Sequence, residues 1–159
     1  MRKSLITPNP QSVAKSSHQW LALNEAASVE VTSEAEGFPV EGALSGEDQQ
    51  GWKAATPGTQ TIRLLFDNPQ RIRFIRLVFR EDHSQRTQEF VLRWLPANEK
   101  DWRDIVRQQW NFSPPNTTLE CEDYKVDLES ATALELTINP DISQVGTRAS
   151  LEQWRISVE

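Results

Sequence analysis

The sequence predicts an all-β fold, an antiparallel β-sandwich of jelly-roll type. Apolar and polar residues alternate in seven short segments, which is the period of half-buried strands. Turn-forming residues separate the segments, as in Asp67-Asn68-Pro69 and Asn139-Pro140-Asp141. No amphipathic helix of about 10 to 15 residues lies between the segments, and this argues against a parallel α/β sheet.

The length and composition indicate one domain. The chain has 159 residues, of which 37% are hydrophobic and 25% are charged, the balance of a globular protein with one core. Residues 1–26 have no sustained period and contain Pro8 and Pro10. We therefore expect a loosely ordered N-terminal arm at 1–26, with a short helical turn near 19–24, and a single β-sandwich domain at 27–159.

Each predicted strand is defined by its alternating apolar residues. A residue on every second position faces the core, so the strands are read from triplets of such positions. In chain order the triplets are Ala27, Val29 and Val31; Ile62, Leu64 and Phe66; Ile75, Leu77 and Phe79; Phe90, Leu92 and Trp94; Tyr124, Val126 and Leu128; Leu134, Leu136 and Ile138; and Trp154, Ile156 and Val158.

The alternation of apolar residues changes phase just before the third triplet. Ile72 and Phe74 are out of step with Ile75, which predicts a strand start or a β-bulge near Arg73, because one extra residue moves later side chains to the other face. With the phase set by Ile75, the predicted core consists of Ile62, Leu64, Phe66, Ile75, Leu77, Phe79, Phe90, Leu92, Trp94, Leu136 and Ile156.

The charge and cysteine content limit the function. The net charge is −6, so nucleic acid is not an expected partner. The single cysteine, Cys121, excludes an internal disulfide and favours a reducing compartment. No apolar run approaches the roughly 18 residues of a membrane span, so we expect a cytoplasmic protein without a membrane partner.

The residues give little support for catalysis. Cys121 is flanked by acidic residues, which disfavour a thiolate nucleophile. The two histidines, His18 and His83, are too few for a multi-histidine zinc site. No glycine-rich loop carries the lysine and hydroxyl residue of a phosphate cradle. We therefore expect a binding protein that is not an enzyme and needs neither a metal nor a cofactor.

The loop from Arg80 to Thr87 is the candidate ligand site. It joins two strongly patterned strands and combines guanidinium donors, carboxylates, an imidazole and hydroxyls within eight residues, the groups that a sugar or another small polar ligand requires. In the ordinary alternative, Arg86 pairs with a neighbouring acid in a solvated hairpin. The candidate ligand-binding residues are Arg80 and Arg86 as donors, Glu81 as an acceptor, His83 as a neutral polar contact, and Trp52 or Trp110 as the apolar ring.

The order of these signals resembles the discoidin (coagulation factor 5/8 type C) domains of the galactose-binding-like superfamily. The resemblance begins in residues 39–54, continues through Gln60 to Asp67 and the later strands, and covers roughly residues 27–158. It implies a β-sandwich that binds carbohydrate through loops at one end. It also implies that Arg80, directly after the strand ending at Phe79, is the ligand-contacting arginine of sugar-binding relatives.

Two features depart from the family. Ser45-Gly46 replaces the family's Asp-Gly, which weakens the expectation of a calcium site, although Glu47 or Asp48 would offer a carboxylate. The terminal disulfide of extracellular members is absent.

A shorter segment suggests an alternative function. Residues 51–62 resemble the Trp-Arg-Ala-Ala region in the N-terminal domain of a single-strand-break-repair scaffold protein, which has the same superfamily fold. The alternative to carbohydrate binding is therefore a protein-interaction scaffold domain.

Overall fold

The computed structural model describes residues 18–45 and 50–159, and their structure is almost entirely β. The elements in chain order are α1 (Leu23–Ala26), β1 (Ala27–Val31), α2 (Glu41–Leu44), β2 (Trp52–Lys53), β3 (Gln60–Arg80), β4 (Arg86–Pro96), β5 (Arg103–Phe112), β6 (Leu119–Asn139), β7 (Ser150–Leu151) and β8 (Gln153–Ser157).

Two long strands, β3 and β6, run through both layers of the sandwich. They pair antiparallel from Gln60 opposite Ile138 to Arg80 opposite Leu119, with an interruption and shifts of the register between Leu65 and Phe74. On one side of these shifts the strand order is β1-β3-β6-β4-β5, and on the other side β8 pairs with β3. The two sequence segments at 62–66 and 75–79 are therefore halves of one strand, and the predicted turn at Asp67-Asn68-Pro69 is wrong because strand pairing resumes beyond it.

The register shifts confirm the predicted bulge near Arg73. Ile72 and Ile75 are both fully buried although they are three positions apart, which regular alternation does not allow. Pairing shifts between Gln70 and Ile72 and again between Ile72 and Phe74. The irregular ladder brings both isoleucines into the same core.

The core forms where the two layers face each other. The ring of Phe79 on β3 stacks on Phe90 of β4, with the centroids 5.2 Å apart. Nine of the eleven residues predicted for the core are buried, while Phe66 and Trp94 are partly buried and pack against its margin. The predicted β-sandwich is confirmed, and alternation identified its inward face.

Part of the predicted arm belongs to the domain. Leu23 is buried, the Leu21 amide donates to the Ile156 carbonyl at 2.7 Å, and His18 stacks on Phe74 at 3.8 Å. Residues 18–26 are therefore packed against the sandwich and are not loosely ordered. Residues 1–17, the rest of the predicted arm, lie outside the described residues.

Strand β5 was not predicted from alternation. Its residues are mostly exposed or half-buried, and charged side chains fall on several of its positions. It pairs with β4, from Arg86 opposite Phe112 to Trp94 opposite Arg103, and so forms the edge of the larger layer. An edge strand needs less apolar surface than a central strand, and this explains why its pattern is weak.

Candidate functional site

A cavity of about 610 Å³ lies at the end of the sandwich where β3 ends. Four segments meet there because β3 turns into β4 beside the short β2 and β7 pair. The lining residues come from 35–38, 50–54, 80–83 and 148–152. The predicted loop therefore forms one wall of the cavity, and the other walls come from parts of the chain that are distant in sequence.

Glu81 fixes the conformation of the predicted loop. One carboxylate oxygen accepts a hydrogen bond from Arg86 Nε at 2.8 Å, and the other accepts from the backbone amides of His83 at 3.0 Å and Ser84 at 3.3 Å. Burial favours a raised pKa for Glu81, but the hydrogen bonds outweigh this effect and the pKa lies below its usual value. Both oxygens of this ionised group are thus already engaged by the protein.

Arg86 lies behind the loop and not at its surface. Its side chain is 2% exposed. Besides Glu81, its guanidinium donates to the Pro140 carbonyl at 2.7 Å and to Gln88 at 3.1 Å, and it lies over the ring of Phe112. The predicted role of Arg86 as a ligand donor does not fit this burial. Pairing with Glu81, the ordinary alternative, is the observed arrangement.

Arg80 and His83 are the predicted residues that remain accessible at the cavity. The Arg80 side chain is 37% exposed, and its Nε donates to Glu152 at 3.2 Å while Nη1 lies 3.9 Å from Asp82. His83 is exposed and lines the same wall. Both side chains can exchange solvent for hydroxyl groups of a ligand.

The two predicted tryptophans do not supply an exposed ring. Trp52 is fully buried, and its Nε1 donates to the Ser33 carbonyl at 2.9 Å. Trp110 on β5 is half-buried, pairs with Gln88 across the ladder and packs on the core margin, and it is absent from the cavity lining. Burial of Trp52 does not fit its predicted contact with the ligand, whereas ligand contact by Trp110 stays a prediction, outside this cavity.

The accessible ring at the cavity is Phe38, which the sequence reasoning missed. Phe38 is half-buried, lines the cavity and lies under the ammonium of Lys53, 4.4 Å from the ring centroid. The sequence reasoning also missed Arg148, which lines the cavity as part of residues 148–152. These residues carry no alternating pattern, because they come from loops and from the two-residue strand β2.

A buried polar chain connects the loop with the interior. Behind Arg86, Gln88 donates to Glu120 at 3.0 Å, and Glu120 is fully buried beside Glu122. Burial, together with the neighbouring Glu122, raises the pKa of Glu120 to about 9. The Glu120 carboxyl group therefore keeps its proton to a higher pH than an exposed glutamate does, which reduces the cost of burying it.

A second cavity of about 690 Å³ follows the neighbouring loop, residues 139–147, together with Gly58 and Thr59. Its lining, all within the described part of the chain, includes Asp141 but holds no aromatic ring and no cation. The first cavity has the richer set of ligand-binding groups.

Metal and membrane features are absent from the described ranges. Within residues 18–45 and 50–159, no group of three or more His, Cys, Asp or Glu side chains is placed to hold a metal ion. Glu47 and Asp48, which were considered for calcium, lie outside these ranges. No helix in the described part of the chain has the length and apolar character needed to cross a membrane.

Comparison with solved structures identifies the fold. The family 32 carbohydrate-binding module of Clostridium perfringens NanJ, solved with galactose, matches at TM-score 0.63 and 13% identity, covering 86% of this chain and 96% of that module. The CBM32-5 module of CpGH89 from the same species, solved with GalNAc-β-1,3-galactose, matches at TM-score 0.65 and 17% identity, covering 87% and 99%. The CBM32 of AlyQ, in complex with 4,5-unsaturated mannuronic acid, matches at TM-score 0.61 and 15% identity, covering 87% and 98%.

The class defined by this fold is the antiparallel β-sandwich, as the sequence predicted. More particularly, the chain has the fold of CBM32 modules, which confirms the predicted discoidin-like architecture. No family model matches the sequence, and no curated protein matches it.

Proposed function

We propose that this chain is a non-catalytic carbohydrate-binding module whose ligand binds in the 610 Å³ end cavity. The observation that carries the proposal is that one cavity combines an aromatic ring with polar side chains, some of them from the Arg80–Thr87 loop that Glu81 holds in place. Phe38 lies among Arg80, His83 and Lys53. A sugar presents apolar C–H surface on its ring and hydroxyls at its edge, so it needs both kinds of group.

The residues divide into those that contact the ligand and those that hold the site in place. Phe38 offers the apolar contact, and Arg80 and His83 offer hydrogen bonds at the accessible wall. Glu81 and Arg86 act as positioning residues, because their 2.8 Å pair sets the loop from which the accessible side chains project. This role needs neither a metal nor a cofactor.

The structural neighbours support this class of ligand. The neighbours named above were solved with galactose, a GalNAc-galactose disaccharide and an unsaturated mannuronic acid. They match nearly the whole of this chain in fold, and the scaffold alternative has no comparable support. The cytoplasmic location expected from the sequence stays a prediction.

A glycan array with the intact protein tests the proposal. We expect binding to a restricted set of glycans, and Arg80→Ala should weaken it roughly 10- to 150-fold, the effect of losing about 1.5–3 kcal/mol from a hydrogen bond to a charged group. Arg71→Ala is the matched control, because Arg71 is an exposed strand arginine paired with Asp127 and lies outside the cavity lining. A silent array, together with a protein partner recovered by pull-down, would replace the proposal with the scaffold alternative.

A further inference from the structure

The short β2–β7 ladder places two cations on one face of the cavity. Lys53 pairs with Ser150, and the Ala54 amide donates to the Ala149 carbonyl at 2.9 Å, which extends the ladder toward Arg148. Side chains alternate between faces, so Lys53, Ser150 and Arg148 share one face. The burial of Trp52, Ala54, Ala149 and Leu151 on the other face agrees with this alternation.

The side chains of Lys53 and Arg148 can converge on one ligand group. Diagonal neighbours in an antiparallel pair lie about 7–8 Å apart, which is within reach of long side chains. Ser150 is directly opposite Lys53 and two positions from Arg148 along its own strand, and all three residues line the cavity. The Phe38 ring holds the Lys53 ammonium at the cavity wall through a cation–π contact of 4.4 Å.

The pairing of the other lining charges leaves these two cations available. Glu81 is neutralised by Arg86 at 2.8 Å. Arg80 is shared by Glu152 at 3.2 Å and Asp82 at 3.9 Å. Lys53 and Arg148 form no ion pair within the described residues, and Glu36 is the one lining carboxylate there that also forms none. Among the described residues, the cavity lining thus contains two cations and one carboxylate that form no ion pair.

We propose that the ligand of this site is a saccharide carrying an anionic substituent, a carboxylate or a sulfate ester, which Lys53 and Arg148 bind together. The inference rests on the proposed function and narrows its ligand class. A guanidinium fork and an ammonium both form charge-assisted hydrogen bonds with such groups. In a chain of net charge −6, a local pair of cations also offsets the general repulsion of an anionic ligand.

The test is calorimetric titration of the intact protein with matched neutral and acidic sugars. The pairs are galactose with galacturonic acid, glucose with glucuronic acid and mannose with mannuronic acid, and galactose 6-sulfate distinguishes sulfate from carboxylate. We expect an acidic or sulfated sugar to bind more tightly than its neutral counterpart. Lys53→Gln and Arg148→Gln should each reduce the ratio of acidic-sugar to neutral-sugar affinity about 1.4- to fivefold, the effect of losing about 0.2–1 kcal/mol from an exposed charge pair.

Arg73→Gln is the matched control, since Arg73 is an exposed β3 residue outside the cavity lining, and it should leave the preference intact. Equal or tighter binding of the neutral sugars overturns the inference while the proposed function stands. An unchanged preference in both cavity variants also overturns it. Failure of every sugar here and on the glycan array overturns the proposed function itself.

Discussion

Two arginines six positions apart, Arg80 and Arg86, have opposite environments and therefore opposite expected roles. The Arg80 side chain is 37% exposed and pairs with acids at the rim, whereas that of Arg86 is 2% exposed and bonds to three groups behind the loop. Sequence alone treats both as loop donors. Burial separates them, because a cation without access to solvent cannot exchange its partners for a ligand.

We predict that Arg86→Met destabilises the protein far more than Arg80→Ala. Removing one member of a buried ion pair leaves the other charge unpaired and costs about 3–5 kcal/mol, whereas an exposed pair contributes about 0–1 kcal/mol. Urea denaturation of both variants measures the difference. Similar stability of the two variants would show that Glu81 finds another partner and that Arg86 does not brace the loop.

We predict that Phe38→Ala weakens carbohydrate binding about 2- to 13-fold. The reason is that an aromatic contact contributes about 0.5–1.5 kcal/mol to binding. Phe38 is half-buried at the cavity wall, so little core packing is lost. Titration with a glycan identified on the array measures the change, and thermal melting checks the fold. Unchanged affinity in a folded variant would remove Phe38 from the ligand contacts.

At the scale of elements, the backbone segments beside the β2–β7 ladder approach each other closely. A Cβ on Gly51 would lie 2.4 Å from the Leu151 carbonyl oxygen and 2.7 Å from the Glu152 Cα, both of them backbone atoms. Backbone atoms in a paired strand cannot move aside as a flexible side chain can. Only glycine therefore allows these two segments to approach as they do beside the cavity.

We predict that Gly51→Ala lowers the free energy of unfolding by about 1–3 kcal/mol, the usual cost of overpacking, and weakens ligand binding as well. The ladder must open to admit the methyl group, and this displaces the face that carries Lys53 and Ser150. Denaturation and titration of the same variant measure both effects. A variant with wild-type stability and affinity would contradict the close approach.

The central and edge strands show which parts of the fold the sequence could predict. Alternation identified the inward face of the central strands because those strands bury one side and expose the other. It also located the bulge, since Ile72 and Ile75 break the period. It failed at 67–69, where a local turn signal lies within a longer strand pairing, and at β5, whose edge position requires little apolar surface.

At the scale of the whole molecule, the cavity could be predicted only in part. The loop containing Arg80 is contiguous in sequence and carries its own chemical signal. Phe38, Lys53 and Arg148 come from segments that meet only after folding, and a two-residue strand leaves no periodic pattern. Six tryptophans offered several candidate rings, and only burial shows that Trp52 belongs to the core.

The response of the whole fold to pH depends on the buried chain that leads from the loop to Glu120. This carboxyl group is fully buried, and burial with the nearby Glu122 raises its pKa to about 9 from an ordinary value of 4.5. The folded state therefore holds a proton that the unfolded state releases above about pH 4.5. The stabilisation from this group is complete below that pH and is lost progressively as the pH rises toward 9.

We predict that the free energy of unfolding of the wild-type protein declines between about pH 5 and pH 9, and that Glu120→Gln makes this decline shallower. The glutamine amide is neutral at every pH and has an oxygen to accept the hydrogen bond that Gln88 donates at 3.0 Å. Glu81, Glu89 and Asp141 have lowered pKa values, so their contributions are lost as the pH falls below about 4.5, outside this window.

Urea denaturation across the pH range measures these slopes, with Glu129→Gln as the control because Glu129 is an exposed glutamate on the same strand. The control should keep the wild-type slope. If Glu120→Gln also keeps it, Glu120 ionises in the folded protein without cost, and the polar chain behind the loop does not hold the proton.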